Sequence, residues 1–487
     1  MNVVYVSPEI EPFARTGGLG DVLGALPKSV AKLGHTVCLI MPLYKQVSRK
    51  EFSLLSTQIT VAIPMQGKTS IGLVYSSYMP ETRIPVYFIE NAAYFERAEF
   101  YKDPATGQDY KDNCERFAFF SRAALEILKA LGQPPDVLHA HDWQSALALT
   151  YLKTLYREDP FFLNALTVLT VHNLAYQGLF PKEDMPSTGL DWSYFNWKQL
   201  EYYGKINILK AGLAFSDIIT TVSKRYAQEI QTPEFGRGLE GVLQERSKDL
   251  FGTVNGVDYN IWNPEKDKLI PSNYSLKNLS GKKVCKRHLQ RKCGLTAPTR
   301  LRDKDVPIIG WIGRLTEQKG VDLLLEGWEE LMGLDLQFVL LGKGDLQYEE
   351  ALKAKASKYP GKASVNIGFD NRLSHEIEAG ADMFLMPSKF EPCGLNQLYS
   401  LKYGTVPIVR HTGGLVDTVD EQVGFIFKSN SVEEMIAAIK KALGAYANPA
   451  QWIELMRRGM LQDWSWDKSA KEYVDLYQQG LKKKAAQ

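Results

Sequence analysis

Met383-Phe384-Leu385-Met386, followed by Phe390-Glu391-Pro392-Cys393-Gly394-Leu395 and then Asn396-Gln397-Leu398-Tyr399-Ser400-Leu401-Lys402-Tyr403, is the stretch whose reading decides the fold. An apolar run, a loop and a helix-like run give strand, loop, helix. A carboxylate, Glu391, stands in the loop. The helix is read as opening on Cys393-Gly394-Leu395, whose backbone N–H groups have no preceding turn to bond. Such a start attracts anions, because its donors are unpaired and the dipole is positive there. A carboxylate beside a phosphate-binding helix start suits a sugar nucleotide, one group for hydroxyls and the other for the diphosphate. The competing reading is a solvated glutamate beside an ordinary helix, and the rest of the chain has to arbitrate.

Working outward, apolar runs at 3–6, 37–41, 86–89, 137–139, 165–171, 218–222, 308–312, 337–341, 383–386 and 406–409 read as strands. Between two of them, 115–131 carries Phe117, Phe120, Ala124, Leu128 and Leu131 at helical spacing. Strands alternating with helices predict an α/β fold with right-handed crossovers and parallel sheets. These runs outnumber the strands of one comfortable sheet, so two doubly wound, Rossmann-like domains are expected, spanning 1–258 and 259–462. The boundary falls near Asn255-Gly256-Val257-Asp258. The segment after it, about 262–304, is polar and broken by Pro264, Pro271 and Pro298, and a fresh strand starts at Val306. Ligands of open parallel sheets bind beyond the C-terminal strand ends. With two such domains the expected site is the deep cleft they face across.

The 487 residues, 45% apolar and 23% charged, suit two or three globular domains. A net charge of +2 creates no bulk field for nucleic acid or an anionic membrane. No apolar window reaches membrane-spanning length. Met1-Asn2-Val3-Val4 lacks a basic region and a cleavage site and reads as a first strand, not a signal peptide. Lys482-Lys483-Lys484 reads as a solvated tail. The five cysteines form no Cys-x-x-Cys pair, which fits free thiols in a reducing cytoplasm. A plastid setting would require a transit peptide already removed.

After the first strand comes a long loop through Arg15-Thr16-Gly17-Gly18-Leu19-Gly20-Asp21, with a helix expected from about Asp21 to Leu33. Its glycines let backbone approach a ligand, and Arg15 suits phosphate oxygens. Gly18, Gly20 and Gly24 mimic a dinucleotide fingerprint, but the loop is too long for that turn and the second strand ends without an acid. His139-Ala140-His141-Asp142-Trp143 and Val171-His172-Asn173 each follow or end a strand. The three histidines raise a metal site, set against the bland reading of hydrogen-bonded imidazoles, and no complementary ligand set accompanies them. Trp143 suits sugar stacking or the core. In the second half, a strand leads into Gly313-Arg314-Leu315-Thr316, with Lys319-Gly320 just after. Two cations there can neutralise a diphosphate leaving group; the competing reading is a pair of weak surface charges. Gly342-Lys343-Gly344 reads as a turn, and Gly413-Gly414 as a second place for backbone to approach phosphate. No Gly-x-x-x-x-Gly-Lys-Ser/Thr motif occurs.

In chain order these segments resemble the bacterial glycogen synthase and plant starch synthase family, retaining glucosyltransferases of the GT-B architecture. The likeness runs from Tyr5 to about Trp466. Arg15-Thr16-Gly17-Gly18-Leu19 corresponds to the family's Lys-x-Gly-Gly-Leu loop. His139–Trp143 and 170–178 are similar to its glucose-side segments, Asn255-Gly256-Val257-Asp258 to its interdomain segment, Gly313-Arg314-Leu315-Thr316 with Lys319-Gly320 to its diphosphate cations, and Glu391–Leu395 to its catalytic loop. The resemblance implies a hexosyltransferase that moves glucose from ADP-glucose to the 4-hydroxyl at the non-reducing end of an α-1,4-glucan (glycogen, starch or maltooligosaccharide). It implies no metal and no cofactor. By position, Arg314 and Lys319 would hold the diphosphate and Glu391 would contact glucose hydroxyls. The backbone at Cys393, Gly394 and Leu395 would meet the sugar or phosphate. His172 would face glucose C6, Asp142 and Asn173 would line the glucose pocket, and Asp21 and Asn255 would order the cleft. Phe369 would stack on adenine where tyrosine is common. Arg15 replaces the family's lysine, which alters reach and geometry at a donor-phosphate position. A terminal helix, about 463–487, would cross back to the first domain. Domain closure would press the cations onto the diphosphate, and with no paired carboxylates evident front-face attack is favoured. UDP-glucose as donor, a His-ligated zinc hydrolase and a non-catalytic glucan binder are the alternatives. Oligomeric state is not readable.

Overall fold

The computed structural model describes residues 1–297 and 305–486. The expected chain break at Pro298, and the end of the polar segment at Lys304, lie outside the described residues. The chain divides into two compact units, Met1–Gly256 with Trp466–Gln487, and Val257–Ser465. The divisions lie at 256/257 and 465/466, displaced from the 258/259 and 462/463 read from sequence. Backbone packing explains the offset. A Cβ on Gly256 would lie 2.6 Å from the Trp466 backbone, whereas the Val257 N–H donates to the Trp464 carbonyl at 2.6 Å.

The first unit is built on a nine-stranded sheet. Its order is Leu250–Gly252, Ile218–Thr221, Leu166–Val171, Val137–His141, Asn2–Val6, Thr36–Pro42, Pro85–Glu90, Lys68–Tyr78, Leu55–Met65. Neighbours from Leu250–Gly252 to Pro85–Glu90 pair parallel. The central strands are continuous apolar runs because helices cover both faces, and Val3 to Val6 are fully buried. Chain order reverses at Asn2–Val6, where Tyr5 lies opposite Leu39 on one side and His139 on the other. That switch point aims the segments after Val6, His141 and Val171 at one end of the sheet.

The hairpin Leu55–Met65/Lys68–Tyr78 pairs antiparallel on the edge and was not visible in the sequence. Val61, Ile63 and Met65 face inward, but the second strand turns Ser70, Gly72 and Val74 to the core and leaves Ile71 and Leu73 in water. Its apolar pattern is inverted because Gly72 must fit against Phe119, 3.1 Å from where its Cβ would be. The helix expected from Asp21 begins at Gly18 and runs to Lys32. The helix Asn113–Leu131 matches its pattern, burying Phe117, Phe120, Ala124 and Leu128 and ending at left-handed Gly132. The terminal helix Trp466–Ala485 packs on the helix Gly18–Lys32 and on the strand Leu166–Val171, burying Trp466, Ala470, Tyr473 and Tyr477.

The second unit carries a six-stranded sheet in the order Ala363–Ile367, Gln337–Gly344, Ile308–Leu315, Met383–Met386, Val406–Arg410, Phe425–Phe427, parallel throughout. Its order reverses between Ile308–Leu315 and Met383–Met386, with Ile309 opposite Met383. The residues read as a Gly342-Lys343-Gly344 turn belong to the strand Gln337–Gly344. Glycine is needed there because a Cβ on Gly342 or Gly344 would lie 2.4 Å from the Gly313 carbonyl or 2.2 Å from that of Leu315. The stretch read as a polar break is structured. Trp262 is sandwiched between His375 and Tyr399, with ring centroids at 3.8 and 3.9 Å. The helix Ser280–Lys292 packs on the helix Asn371–Gly380. Its polarity misled because Lys282 and Lys286 are buried: Lys282 Nζ donates to Thr405 Oγ1 at 2.7 Å.

Candidate functional site

In the Val257–Ser465 unit, the segments leaving the two switch-point strands meet. Lys319 ends the single turn Glu317–Lys319 and places Nζ 2.6 Å from Glu391 Oε2. The Ser388 hydroxyl donates to the same oxygen at 2.9 Å. The glutamate side chain is 6% exposed and the lysine 21%, so the carboxylate is enclosed while the ammonium stays partly open. The two loops run backbone to backbone: the Lys389 N–H donates to the Gln318 carbonyl at 2.9 Å. Gly320, at a φ of 70°, lies where a Cβ would meet the Pro387 carbonyl at 2.0 Å.

The second glycine pair lies behind this loop. The Gly414 N–H donates to the Glu391 carbonyl at 2.9 Å, and a Cβ on Gly413 would fall 1.9 Å from that oxygen. The pair read as a phosphate approach also supports the Glu391 backbone. The helix begins at Asn396, later than expected, with Leu395 as its N-cap and no side chain capping it. Asn396 Nδ2 donates to the Ile312 carbonyl at 2.8 Å, tying the helix start to the neighbouring strand end. Gly394 precedes it at a φ of 74°, and Cys393 is buried. Arg314 is exposed near the end of Ile308–Leu315, in register with Lys343. Phe369, two residues beyond Ala363–Ile367, is 82% exposed.

In the Met1–Gly256 unit, Asp142 follows Val137–His141 at a φ of 56°, a region non-glycine residues seldom occupy. The His172 N–H donates to its Oδ1 at 2.7 Å. Burial pushes the Asp142 carboxyl up to about 7; the His172 N–H opposes the shift and the Glu9 charge adds to it. Burial pulls His172 down to about 3. Its Nε2 lies 3.0 Å from His141 Nδ1. The His139 ring stacks on His141 at 4.2 Å, with Nδ1 2.8 Å from the Tyr477 hydroxyl and Nε2 2.6 Å from Thr170 Oγ1. The imidazoles bond one another and their neighbours instead of converging on a common point, unlike zinc ligands.

Arg15 pairs with Asp21 at 3.1 Å, at the start of the helix Gly18–Lys32, whose N-cap, Gly17, provides no side-chain cap. Burial raises Asp21 to about 6, against the pull of Arg15. Asn173 Oδ1 accepts the Ala175 N–H at 3.0 Å, so that oxygen is turned into its own loop. Asn255 Oδ1 is buried without a partner among the described residues. Trp143 is core: it packs edge-on to Phe117, and a Cβ on Gly178 would press it at 2.5 Å.

Two family descriptions match the chain, the starch synthase catalytic domain over residues 2–245 and glycosyl transferases group 1 over 297–458. Glycogen synthase of Syntrophotalea carbinolica is 44% identical over 489 residues, 99% of each chain. Glycogen synthase 2 of Geobacter sulfurreducens is 46% identical over 484 residues, 98% of each. The solved catalytic domain of starch synthase IV from Arabidopsis thaliana, bound to ADP and acarbose, aligns with a TM-score of 0.90 at 32% identity, covering 99% of both chains. The chain belongs to the starch and glycogen synthase family. It is a glycosyltransferase with two Rossmann-like GT-B domains, and it transfers glucosyl units to a glucan. Among the described residues no helix is long and apolar enough to cross a membrane.

For a glycogen synthase-family chain, the sequence brought forward Lys319 and Glu391 without their direct pairing, and Asp142 and His172 without their hydrogen bond. It passed over Glu9, which is 3% exposed. Glu9 accepts from Thr16 N and Oγ1 at 2.5 and 2.7 Å and from the Tyr101 hydroxyl at 2.6 Å. Its signal was available, since it stands just beyond the first strand at the switch point. His141 was noticed as a metal candidate or a hydrogen-bonded imidazole in the glucose-side segment, without its bond to His172, and Ser388 not at all.

Proposed function

We propose that this chain transfers glucose from ADP-glucose to the 4-hydroxyl at the non-reducing end of an α-1,4-glucan, with retention and without a metal or cofactor. The observation that carries the reading is the Lys319–Glu391 pair at 2.6 Å, beside an uncapped helix start at a topological switch point. Arg314 and Lys319 take the diphosphate, with the backbone at Cys393, Gly394 and Leu395 on sugar or phosphate, and Phe369 stacks on the adenine. Glu391 contacts glucose hydroxyls. In the Met1–Gly256 unit, His172 meets the C6 side of glucose, Asp142 and Asn173 stand beside the sugar, Arg15, Gly17 and Gly18 serve phosphate, and Asp21 and Asn255 order their loops. As phosphoryl oxygens share the Lys319 ammonium, leaving-group charge is stabilised and the acceptor attacks from the same face. ADP bound to the related starch synthase IV supports the choice of nucleotide.

Purified protein is incubated with glycogen and labelled ADP-glucose or UDP-glucose, with and without chelator. The expected result is incorporation from ADP-glucose at least tenfold above UDP-glucose and unchanged by chelator; the reverse donor preference overturns the reading. Glu391→Ala should lower kcat about 10²- to 10³-fold. ADP affinity should be kept or improved, because Lys319 loses the competing carboxylate. Turnover near wild type would remove Glu391 from its role.

A further inference from the structure

The His172 ring shares one hydrogen bond within the protein, between its Nε2 and His141 Nδ1 at 3.0 Å. It is partly exposed, and its Nδ1 has no bonding partner among the described residues. His141 is fully buried, and its other nitrogen, Nε2, has no partner among the described residues. Burial holds both rings far below their ordinary 6.5, so both are neutral and a single proton lies between them.

Two arrangements satisfy that geometry. If His172 donates, neutral His141 carries its own hydrogen on Nε2, and a buried N–H is left without an acceptor. If His141 donates, Nε2 holds only a bare lone pair. Buried N–H groups without acceptors are rarer than under-satisfied acceptors and bear the full desolvation penalty. The structure also holds His141 against reorientation. His139 lies on its face at 4.2 Å and is fixed at both nitrogens, by Thr170 Oγ1 and by the Tyr477 hydroxyl, which also lies 3.2 Å from the Tyr5 hydroxyl.

We propose that His141 is a positioning residue that donates from Nδ1 to His172 Nε2 and fixes His172 as the Nδ1–H tautomer, so that His172 offers its ligand a hydrogen-bond donor aimed at a hexose hydroxyl oxygen. The tautomer stands on this geometry and on the burial that keeps both rings neutral; the ligand rests on the reading of His172 under the proposed function. Aiming a neutral donor suits a group that must mark an alcohol oxygen without adding charge beside Asp142.

The test begins with the wild-type protein labelled with ¹⁵N-histidine, the His172 signals being assigned by their loss in His172→Asn. Long-range proton–nitrogen correlation should find Nδ1 protonated and Nε2 bare; the opposite pattern overturns the proposal. His141→Leu should then lower kcat/KM with ADP-glucose about tenfold, the upper range for one neutral hydrogen bond. The loss should be under about threefold with the nucleotide sugar lacking the C6 oxygen. His141→Asn, whose amide N–H replaces Nδ1–H, should restore most of the activity. Equal losses for both donors, or no rescue by asparagine, would reduce His141 to a packing residue. Absence of any glucosyl transfer would refute the proposed donor chemistry and leave the nitrogen assignment intact, so the two failures read differently.

Discussion

Asp142 is held in the left-handed region with its carboxyl raised to about 7, and Asp21 is raised to about 6. For a raised carboxyl, the folded state keeps a proton that the unfolded chain, at an ordinary 3.8, has already released. The associated stability is present in acid and is lost as pH rises from about 4 to about 7. Asp142→Asn keeps an oxygen for the His172 N–H and removes the ionisation. Relative to wild type it should gain on the order of 2 kcal/mol between about pH 5 and pH 8, after allowing for the partial exposure of Asp142. Urea midpoints at both pH values measure this, and an unchanged difference would contradict burial as the cause. Glucosyl transfer should fall in the same variant. At this scale the sequence named Asp142, His172, Lys319 and Glu391, because each follows a strand of a parallel sheet. It did not reveal which atoms touch, since Lys319 and Glu391 are 72 residues apart.

At the scale of elements, the two glycine pairs look alike in sequence and differ in the fold. Gly413 has a φ of 47° and lies under the Glu391 carbonyl. Gly17 is an extended N-cap at a φ of −173°, with nothing within 4 Å of its Cβ position. Gly413→Ala should destabilise by about 1–3 kcal/mol and lower kcat at least about tenfold by displacing the Glu391 loop. Gly17→Ala should leave stability within about 0.5 kcal/mol, so lost activity there reports a ligand contact. Thermal midpoints with steady-state kinetics separate the two, and equal destabilisation would contradict the difference in packing. The edge hairpin was illegible for a related reason. Ile71 and Leu73 point to water while Gly72 fits Phe119, so its alternation reports the neighbour and not the strand.

At the scale of the whole molecule, the terminal helix belongs to the unit that begins the chain. Tyr473 and Tyr477 are fully buried there, and Tyr477 bonds His139 across 338 residues of sequence. Burying Trp466, Tyr473, Val474 and Tyr477 contributes on the order of 10 kcal/mol before chain entropy is counted. Truncation after Ser465 should therefore abolish cooperative unfolding of the Met1–Gly256 unit in calorimetry and leave a transition for Val257–Ser465. A truncated protein that keeps the first unit's transition would contradict this assignment.

The chain's local pattern was enough to establish two doubly wound sheets, the loops that follow their central strands, and the residue types gathered there. Apolar periodicity and helix-start chemistry are short-range properties and survive in one dimension. Only the tertiary structure decided that Glu391 is held by Lys319, that Gly413 and Gly414 support the Glu391 backbone, that Trp143 is core, and that His139, bonded to the last helix, stacks on the His141 that bonds His172. Those outcomes depend on which distant backbones come within a few ångströms of each other, a distance that close packing sets and that no local spacing encodes.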